Sequence, residues 1–458
     1  MFLKHLNKNM VFIATKLYIN NCERIDIKMK KAAFCTLGCK VNQYETEAME
    51  ELFRNAGYEI VPFNESSDVY VINTCSVTSM GDSKSRRMIR RAKKSNPHSI
   101  VAVTGCYAQT APDEVLSIEG VNLVLGTQGR KEIVNKVEEI TQIDKVNDVC
   151  DIMHTHDFEE LNITHYEHRT RAFIKIQDGC SQFCSYCIIP YARGPVRSRK
   201  DIDIISEIKS LAANGYTEFI LTGIHVASYG HDLECSDLAS LINEIDKLDG
   251  VRRIRLSSIE PMTLNRKFTE DIKNAKKLCP HFHVALQSGC DATLKRMNRH
   301  YTTVQFKEIV DGLRDAFDDA AITTDIMTGF PGETDEEFAE TEAFVKEIDF
   351  ADAHIFQYSQ RKGTPAARRP DQINPQIKDM RAKKIAEITQ KSRNEFLSRH
   401  IGKTVEVLFE QRVKDGYFEG KTANYITVHV KTDKDLHRQY LNVKLTEVSG
   451  DVMIGELV

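Results

Sequence analysis

No stretch of the 458 residues approaches the run of roughly 18 apolar positions that a membrane-spanning helix needs. Charge of one sign is not in excess either. With 62 Lys and Arg against 66 Asp and Glu, the net charge of −4 excludes a globally basic nucleic-acid binder and leaves that work to local patches. There is no internal repeat, which excludes solenoids and propellers, and no low-complexity tract. A secretory leader is not expected either. The start, MFLKHLNKNMVFIATKLYINN, is basic with a short apolar patch, but polar residues interrupt it and no small-residue cleavage site follows. Residues 1–28 therefore read as a disordered extension ahead of a functional start at Met29, and the chain as cytoplasmic.

What is present is enough apolar material, 41% of residues, to fill the cores of about two or three domains. Residues 29–140 alternate in a βα rhythm. KAAFCTLG, SDVYVINT and SIVAVTG read as buried strands, with helices around 42–56 and 79–95. That predicts an open parallel α/β domain. Residues 141–168 are polar, lack a period and read as a linker. Over 169–395 the rhythm restarts with RAFIKI, EFILTG, RRIRLSS, HFHVALQ, AAITTDIMTG and DAHIFQY, which suits a partial, TIM-like (βα)6 barrel. Residues 396–458 change texture. TVEVLFE, GYFEGKT, YITVHV, YLNVKL and VMIGELV predict a small antiparallel β-barrel.

Twelve cysteines in a chain of this kind point to metal or catalytic use rather than a disulfide framework. Cys180, Cys184 and Cys187 lie in DGCSQFCSYCIIP, directly after the first strand of the second domain. Barrel active sites form at that end. A tetrahedral zinc wants one ligand more than this stretch supplies, and His225 and Cys235 lack regular ligand spacing. A three-thiolate [4Fe–4S] cluster with one iron open to an exogenous ligand fits better, with zinc as the alternative. Cys39 (TLGC), Cys75 (INTC) and Cys106 (VTGC) each follow a predicted strand, 36 and 31 residues apart. Loops after parallel strands gather along one sheet edge, so these thiols converge. Cys22, Cys35, Cys150, Cys235, Cys279 and Cys290 show no such logic and read as structural.

Three basic stretches stand out: SKSRRMIRRAKK (83–94), ARGPVRSRK (192–200) and QRKGTPAARRP (360–370). On a helix Lys84, Arg87, Arg91 and Lys94 share one face, opposite a stripe of Ser85, Met88, Ile89 and Ala92. That face suits a phosphate backbone. The second stretch, directly behind the cysteine triplet, is expected to lend its charge to substrate there. In the last domain Tyr417, Phe418 and Tyr425 are candidates to stack on bases, with core packing expected for at least one.

C-x3-C-x2-C with Tyr186 before its last cysteine, at the top of a partial barrel, resembles the radical S-adenosylmethionine superfamily. Together with Cys39, Cys75 and Cys106 and the C-terminal β-module, the chain resembles the methylthiotransferases from about residue 30 to its end. CTLGCKVNQYETEAM (35–49) is most similar to the branch acting on N6-threonylcarbamoyladenosine at position 37 of tRNA. The sister branches act on isopentenyladenosine at that position or on a ribosomal-protein aspartate. The resemblance implies two [4Fe–4S] clusters, S-adenosylmethionine, and a TRAM-like C-terminal module that grips RNA. It also implies the tRNA anticodon loop as partner and an electron donor such as a flavodoxin or ferredoxin. The cluster at Cys180, Cys184 and Cys187 would release a 5′-deoxyadenosyl radical that takes hydrogen from adenine C2. The cluster at Cys39, Cys75 and Cys106 would deliver the methylthio group. Family analogy offers Tyr186, Gly223, Ser257, Glu260, Gln287 and Asp325 for the cofactor, beside His225, Ser288, Gly289, Gly329, Pro331 and Gly332.

Overall fold

The computed structural model describes residues 29–76, 79–164 and 169–458, so the expected extension over 1–28 lies outside the described residues. Six parallel strands open the fold: β1 (Lys31–Thr36), β2 (Glu59–Val61), β3 (Val69–Thr74), β4 (Ile100–Gly105), β5 (Leu123–Leu125) and β6 (Val146–Asp148), in the order β2-β1-β3-β4-β5-β6. Every residue of β3, VYVINT, is buried, as a strand covered on both faces must be. Helices α1 (Lys40–Asn55) and α2 (Ser79–Ser95) follow β1 and β3. On α2, Ser85, Ile89 and Ala92 are buried and Lys84, Arg87, Arg91 and Lys94 are exposed.

The stretch 141–168 is not a plain linker. Val146–Asp148 pair in parallel with β5 as the sheet's edge, and Leu161 and Ile163 are buried in the core of the second layer. A three-residue strand and isolated apolar side chains are too short to display a period, which is why the sequence reads as unstructured there.

Six further parallel strands form the partial barrel: β7 (Ala172–Asp178), β9 (Glu218–Gly223), β10 (Arg253–Leu256), β11 (His281–His283), β12 (Ala321–Thr328) and β13 (Asp352–Gln357). A two-residue strand, β8 (Arg197–Ser198), runs antiparallel on the outer side of β7. β10 and β11 meet through the single parallel bridges Ile254–Leu278 and Ile259–Val284, so the arc is continuous. Helix α1 packs on β7 and β9. A long helix over Pro375–Ser398 lies against β13 and leads to five strands, β14 (Thr404–Arg412), β15 (Tyr417–Thr422), β16 (Thr427–Lys431), β17 (Tyr440–Ser449) and β18 (Val452–Leu457). These close a barrel that is antiparallel except where β16 runs parallel to β18. Phe418 is in its core, away from any base.

The first domain meets the partial barrel through buried charge. Glu45 of α1 is completely buried; its carboxylate takes Arg193 Nη1 at 2.5 Å, Lys175 Nζ at 2.8 Å and Arg130 Nη1 at 2.5 Å. Lys175 also reaches Asp178 at 2.6 Å, and Arg130 reaches Glu159 at 2.9 Å. Burial alone would raise the Glu45 carboxyl, but the three cations outweigh it and hold it at about 2. A depressed folded value means that its contribution is complete above the ordinary 4.5 and is lost as pH falls toward about 2. Glu45→Ala removes the anion that two arginines and a lysine share, leaving Asp178 and Glu159 to serve all three. We expect it to lower unfolding free energy by about 3–5 kcal/mol at neutral pH in a denaturant titration. A change below about 1 kcal/mol would show that the network carries no net stability.

Candidate active site

Each thiol of the first set sits where a parallel strand ends. Cys39 is the residue before α1, Cys75 follows β3 directly, and Cys106 begins a short helix, α3 (Cys106–Thr110), immediately after β4. Two glycines make the approach possible. Gly38 has φ +116, and a Cβ there would lie 3.0 Å from Cys75 Cβ. Gly105 has φ +94, and a Cβ would meet the Thr74 carbonyl at 2.4 Å. Asn42 ties the loops together. Its Nδ2 donates to Leu37 O at 3.0 Å and Thr74 O at 2.9 Å, and its Oδ1 accepts from Cys39 Sγ at 3.3 Å and Arg193 Nη2 at 2.9 Å. Cys35, in β1, packs into the domain core instead.

The second set occupies the loop after β7. Gly179, φ +77, lets the chain pass Pro195 O, and Cys180 N donates to Gly194 O at 3.0 Å. Gln177 braces the loop, donating to Asp178 O at 2.6 Å and Gly179 O at 2.7 Å while its Oε1 accepts from His225 N at 2.8 Å. Tyr186 lies edge-on to Phe330 at 6.4 Å. Burial pushes the Cys180 thiol up to about 11, Cys187 to about 12 and Cys106 to about 11. Metal binding there must therefore displace protons. Among the described residues no three His, Cys, Asp or Glu side chains converge on a single ion. Three thiols with N–H donors to sulfur fit an iron–sulfur cluster. Arg193 Nε donates to Cys106 Sγ at 3.4 Å, Arg299 Nη1 to Cys184 Sγ at 3.4 Å, and Ile189 N to Cys187 Sγ at 3.4 Å.

Beside Cys39 lies a cavity of about 830 Å³, with Ile189, two residues past Cys187, on its wall. Cys39 and Lys40 line it, with Gly223 at the end of β9, Ser257 just past β10, Asp325 within β12, and Tyr425 of the C-terminal barrel. Glu260 is off this wall. Its Oε2 accepts from Arg299 Nη2 at 2.7 Å, beside Cys184, and His225 Nε2 stands 3.9 Å away. Gln287 adopts φ +65 and bonds through its backbone to Asp325 and Met327, leaving its Oε1 buried without a partner. Of the wider candidates, Ser288 Oγ bonds Thr341 Oγ1 at 3.3 Å, and Gly289 and Gly329 press against Thr341 and Lys378, so these three serve packing.

The expectation for the second basic stretch is overturned. Arg193, Arg197 and Arg199 are fully buried and committed to Glu45, Asp178, Glu160 and Glu207, so of the basic residues in ARGPVRSRK only Lys200 is exposed. In the third stretch Arg361 is buried, paired with Asp82 at 2.9 Å and Ser76 at 2.8 Å, while Lys362 and Arg368 are exposed. Conversely, sequence reasoning missed Arg299 and Asn42, which nothing in their local patterns distinguishes. It also missed His281 and His283, whose period-two spacing on HFH was a readable sign that both face the barrel interior.

Two family models match the chain: Uncharacterized protein family UPF0004 over residues 31–126 and the Radical SAM superfamily over residues 174–345. The chain is 42% identical to the threonylcarbamoyladenosine tRNA methylthiotransferase MtaB of Bacillus subtilis (strain 168), across 94% of this chain and 97% of that one. It is 35% identical to the tRNA-2-methylthio-N(6)-dimethylallyladenosine synthase of Thermoanaerobacter pseudethanolicus, across 92% of each. Among solved structures, the radical S-adenosylmethionine methyltransferase TsrM of Kitasatospora setae shares the fold, with a TM-score of 0.54 over 74% of this chain and 77% of that one at 15% identity.

Gly105→Ala tests the strand-end geometry. A Cβ at left-handed φ, pressed on the Thr74 carbonyl, is expected to cost about 1–3 kcal/mol and to shift Cys106. Thermal melting measures the first effect and iron uptake on reconstitution the second. Wild-type values for both would refute the close approach.

Proposed function

The chain belongs to the tRNA methylthiotransferases of the radical S-adenosylmethionine superfamily, and from that premise we propose that it converts N6-threonylcarbamoyladenosine at position 37 of tRNA to its 2-methylthio derivative. The observation that carries the reading is the single cavity lined by Cys39 on one side and by Gly223, Ser257 and Asp325 on the other. A base held there lies against Cys39 and against Ile189, two residues past Cys187. The choice of branch rests on the 42% identity to the threonylcarbamoyl relative against 35% to the dimethylallyl one.

A [4Fe–4S] cluster and S-adenosylmethionine accompany this chemistry. We assign one cluster to Cys180, Cys184 and Cys187 and a second to Cys39, Cys75 and Cys106. When bound, the first supplies the electron for reductive cleavage of S-adenosylmethionine, and the second the sulfur. The protein's own groups bind and orient. Glu260, fixed by Arg299, is positioned to accept from the cofactor's ribose hydroxyls. Gly223, Ser257, Gln287 and Asp325 bring backbone and small polar groups close to the ligand, and Tyr186 packs the cluster loop against Phe330. The tRNA anticodon loop is the macromolecular partner, met by the exposed basic face of α2. The electron arrives from a small donor such as a flavodoxin or ferredoxin.

Mass spectrometry of tRNA nucleosides from strains with and without the gene tests the substrate. Loss of the 2-methylthio threonylcarbamoyl nucleoside is expected. Loss of the isopentenyl derivative, or an unchanged tRNA profile, would move the assignment to a sister branch. The anaerobically purified protein should carry about eight irons, and the Cys39→Ala, Cys75→Ala, Cys106→Ala triple variant about four. Replacing Lys84, Arg87, Arg91 and Lys94 by Gln should weaken tRNA binding and lower the slope of log affinity against log salt by about 3. An unchanged slope would remove α2 from the interface.

A further inference from the structure

The barrel lumen contains a positive charge that the protein does not use. Lys40 follows Cys39 at the start of α1 and lines the cavity wall. Among the described residues its ammonium has neither an ion pair nor a hydrogen bond. It is close enough to Tyr425, Arg171 and Arg255 to feel their charges. Those neighbours do not offset it. Arg255 is spent on Glu218 at 2.7 Å and on the carbonyls of Thr422 and Ala423, and Arg171 on Glu410 at 2.8 Å. Lys421 holds its ammonium over the Tyr425 ring at 4.9 Å. The acids of the lumen are also engaged. Asp325 Oδ2 is 3.2 Å from His283 Nε2, and Asp352 Oδ1 is 3.4 Å from Arg393 Nη1 and accepts from Ala353 N at 2.9 Å.

A second unfilled group faces the same space. His281 is 8% exposed, and its Nε2 pairs with Thr323 Oγ1 at 3.2 Å, but its Nδ1 has no partner. Its ring stacks on Tyr425 at 4.6 Å, and Tyr425 is held at φ +72, a conformation a bulky side chain adopts only when its surroundings impose it. An unpaired ammonium and an unpaired imidazole nitrogen in one cavity define a place for an anion with hydrogen-bonding capacity. We propose that Lys40 and His281, on a floor closed by Tyr425, bind the carboxylate of the threonylcarbamoyl group on the substrate adenine, and that this contact selects the charged N6 substituent over an apolar one. The inference rests on the substrate reading above.

The test uses the cluster-loaded enzyme under anaerobic conditions. Three anticodon stem-loop RNAs carry at position 37 the threonylcarbamoyl group, the same group with carboxamide in place of carboxylate, or a dimethylallyl group. Affinity is read by fluorescence anisotropy and turnover by mass spectrometry of the nucleoside. The wild type should bind the carboxylate RNA at least about tenfold more tightly than the carboxamide, the worth of a charged hydrogen bond. Lys40→Met should bring the two affinities together by weakening only the carboxylate RNA, and Lys40→Arg should keep the difference. Phosphates are identical in the RNAs, so a phosphate contact cannot produce this pattern, and iron content measured alongside detects any disturbance of Cys39. Equal wild-type affinities for carboxylate and carboxamide would overturn the anion site while leaving the substrate reading standing. So would a difference that survives in Lys40→Met at full iron content. Turnover of the dimethylallyl RNA alone would overturn the substrate reading and the anion site with it.

Discussion

The carboxylate of Glu45 is the point on which the active-site architecture turns. The two cysteine sets belong to different domains, and bringing Cys39 to the wall of a cavity in the barrel requires those domains to meet in one register. Apolar contact alone is non-directional and fixes such a register poorly. Here a single buried carboxylate receives Arg130, Arg193 and Lys175 at once. Withdrawing each charge from water costs roughly several kcal/mol, regained only when every partner is in place. A shifted docking would strand charges in the interior, so the network penalises wrong arrangements more than it rewards the right one. Arg193 makes the connection literal. It rises from the segment behind Cys187, pairs with Glu45, and donates to Cys106 Sγ in the other domain.

Parallel strands supply the second constraint. Their carboxyl ends deliver loops to one edge, and the chain exploits this in both halves: Cys39, Cys75 and Cys106 after β1, β3 and β4, and Cys180, Cys184 and Cys187 after β7. An arginine donates to a thiol of each set, Arg193 to Cys106 and Arg299 to Cys184. The equivalence is chemical rather than topological. One arginine comes across a domain boundary and the other from a loop after a barrel helix.

The C-terminal barrel does more than follow the others. Arg253 and Arg255, near the start of β10, bond the carbonyls of Glu406, Lys421, Thr422 and Ala423. That docking sends Tyr425 into the lumen against His281. The shape of the cavity inside the barrel is therefore set partly by a module that the family resemblance casts only as an RNA grip. Of the three aromatics that stand out in its sequence, Phe418 fills its core, Tyr425 floors the cavity, and Tyr417 lies 6.1 Å from His429 on the surface of the small barrel.

Much of this was legible in the residues themselves, because the relevant signals are local. Burial on both faces writes continuous apolar runs such as VYVINT, alternation writes the five strands of the small barrel, and a thiol just past a strand is visible as TLGC, INTC or VTGC. Short elements were not legible. Val146–Asp148 is too brief for a period, and Leu161 and Ile163 look like strays in a polar stretch. Charge was misread for a deeper reason. A run such as ARGPVRSRK looks like exposed basic surface because sequence shows a charge but not its partner. The partners, Glu45 and Glu207, stand 148 and 8 residues away from Arg193 and Arg199. Sequence alone determined which thiols lie at strand ends and what rhythm of strands carries them. Only the tertiary structure decided which arginines are buried, which lysine is left unpaired in the lumen, and that Cys39 borders a cavity walled by the barrel strands. Those properties depend on distances between chain-remote groups, and on a desolvation that exists only once the domains have closed over them.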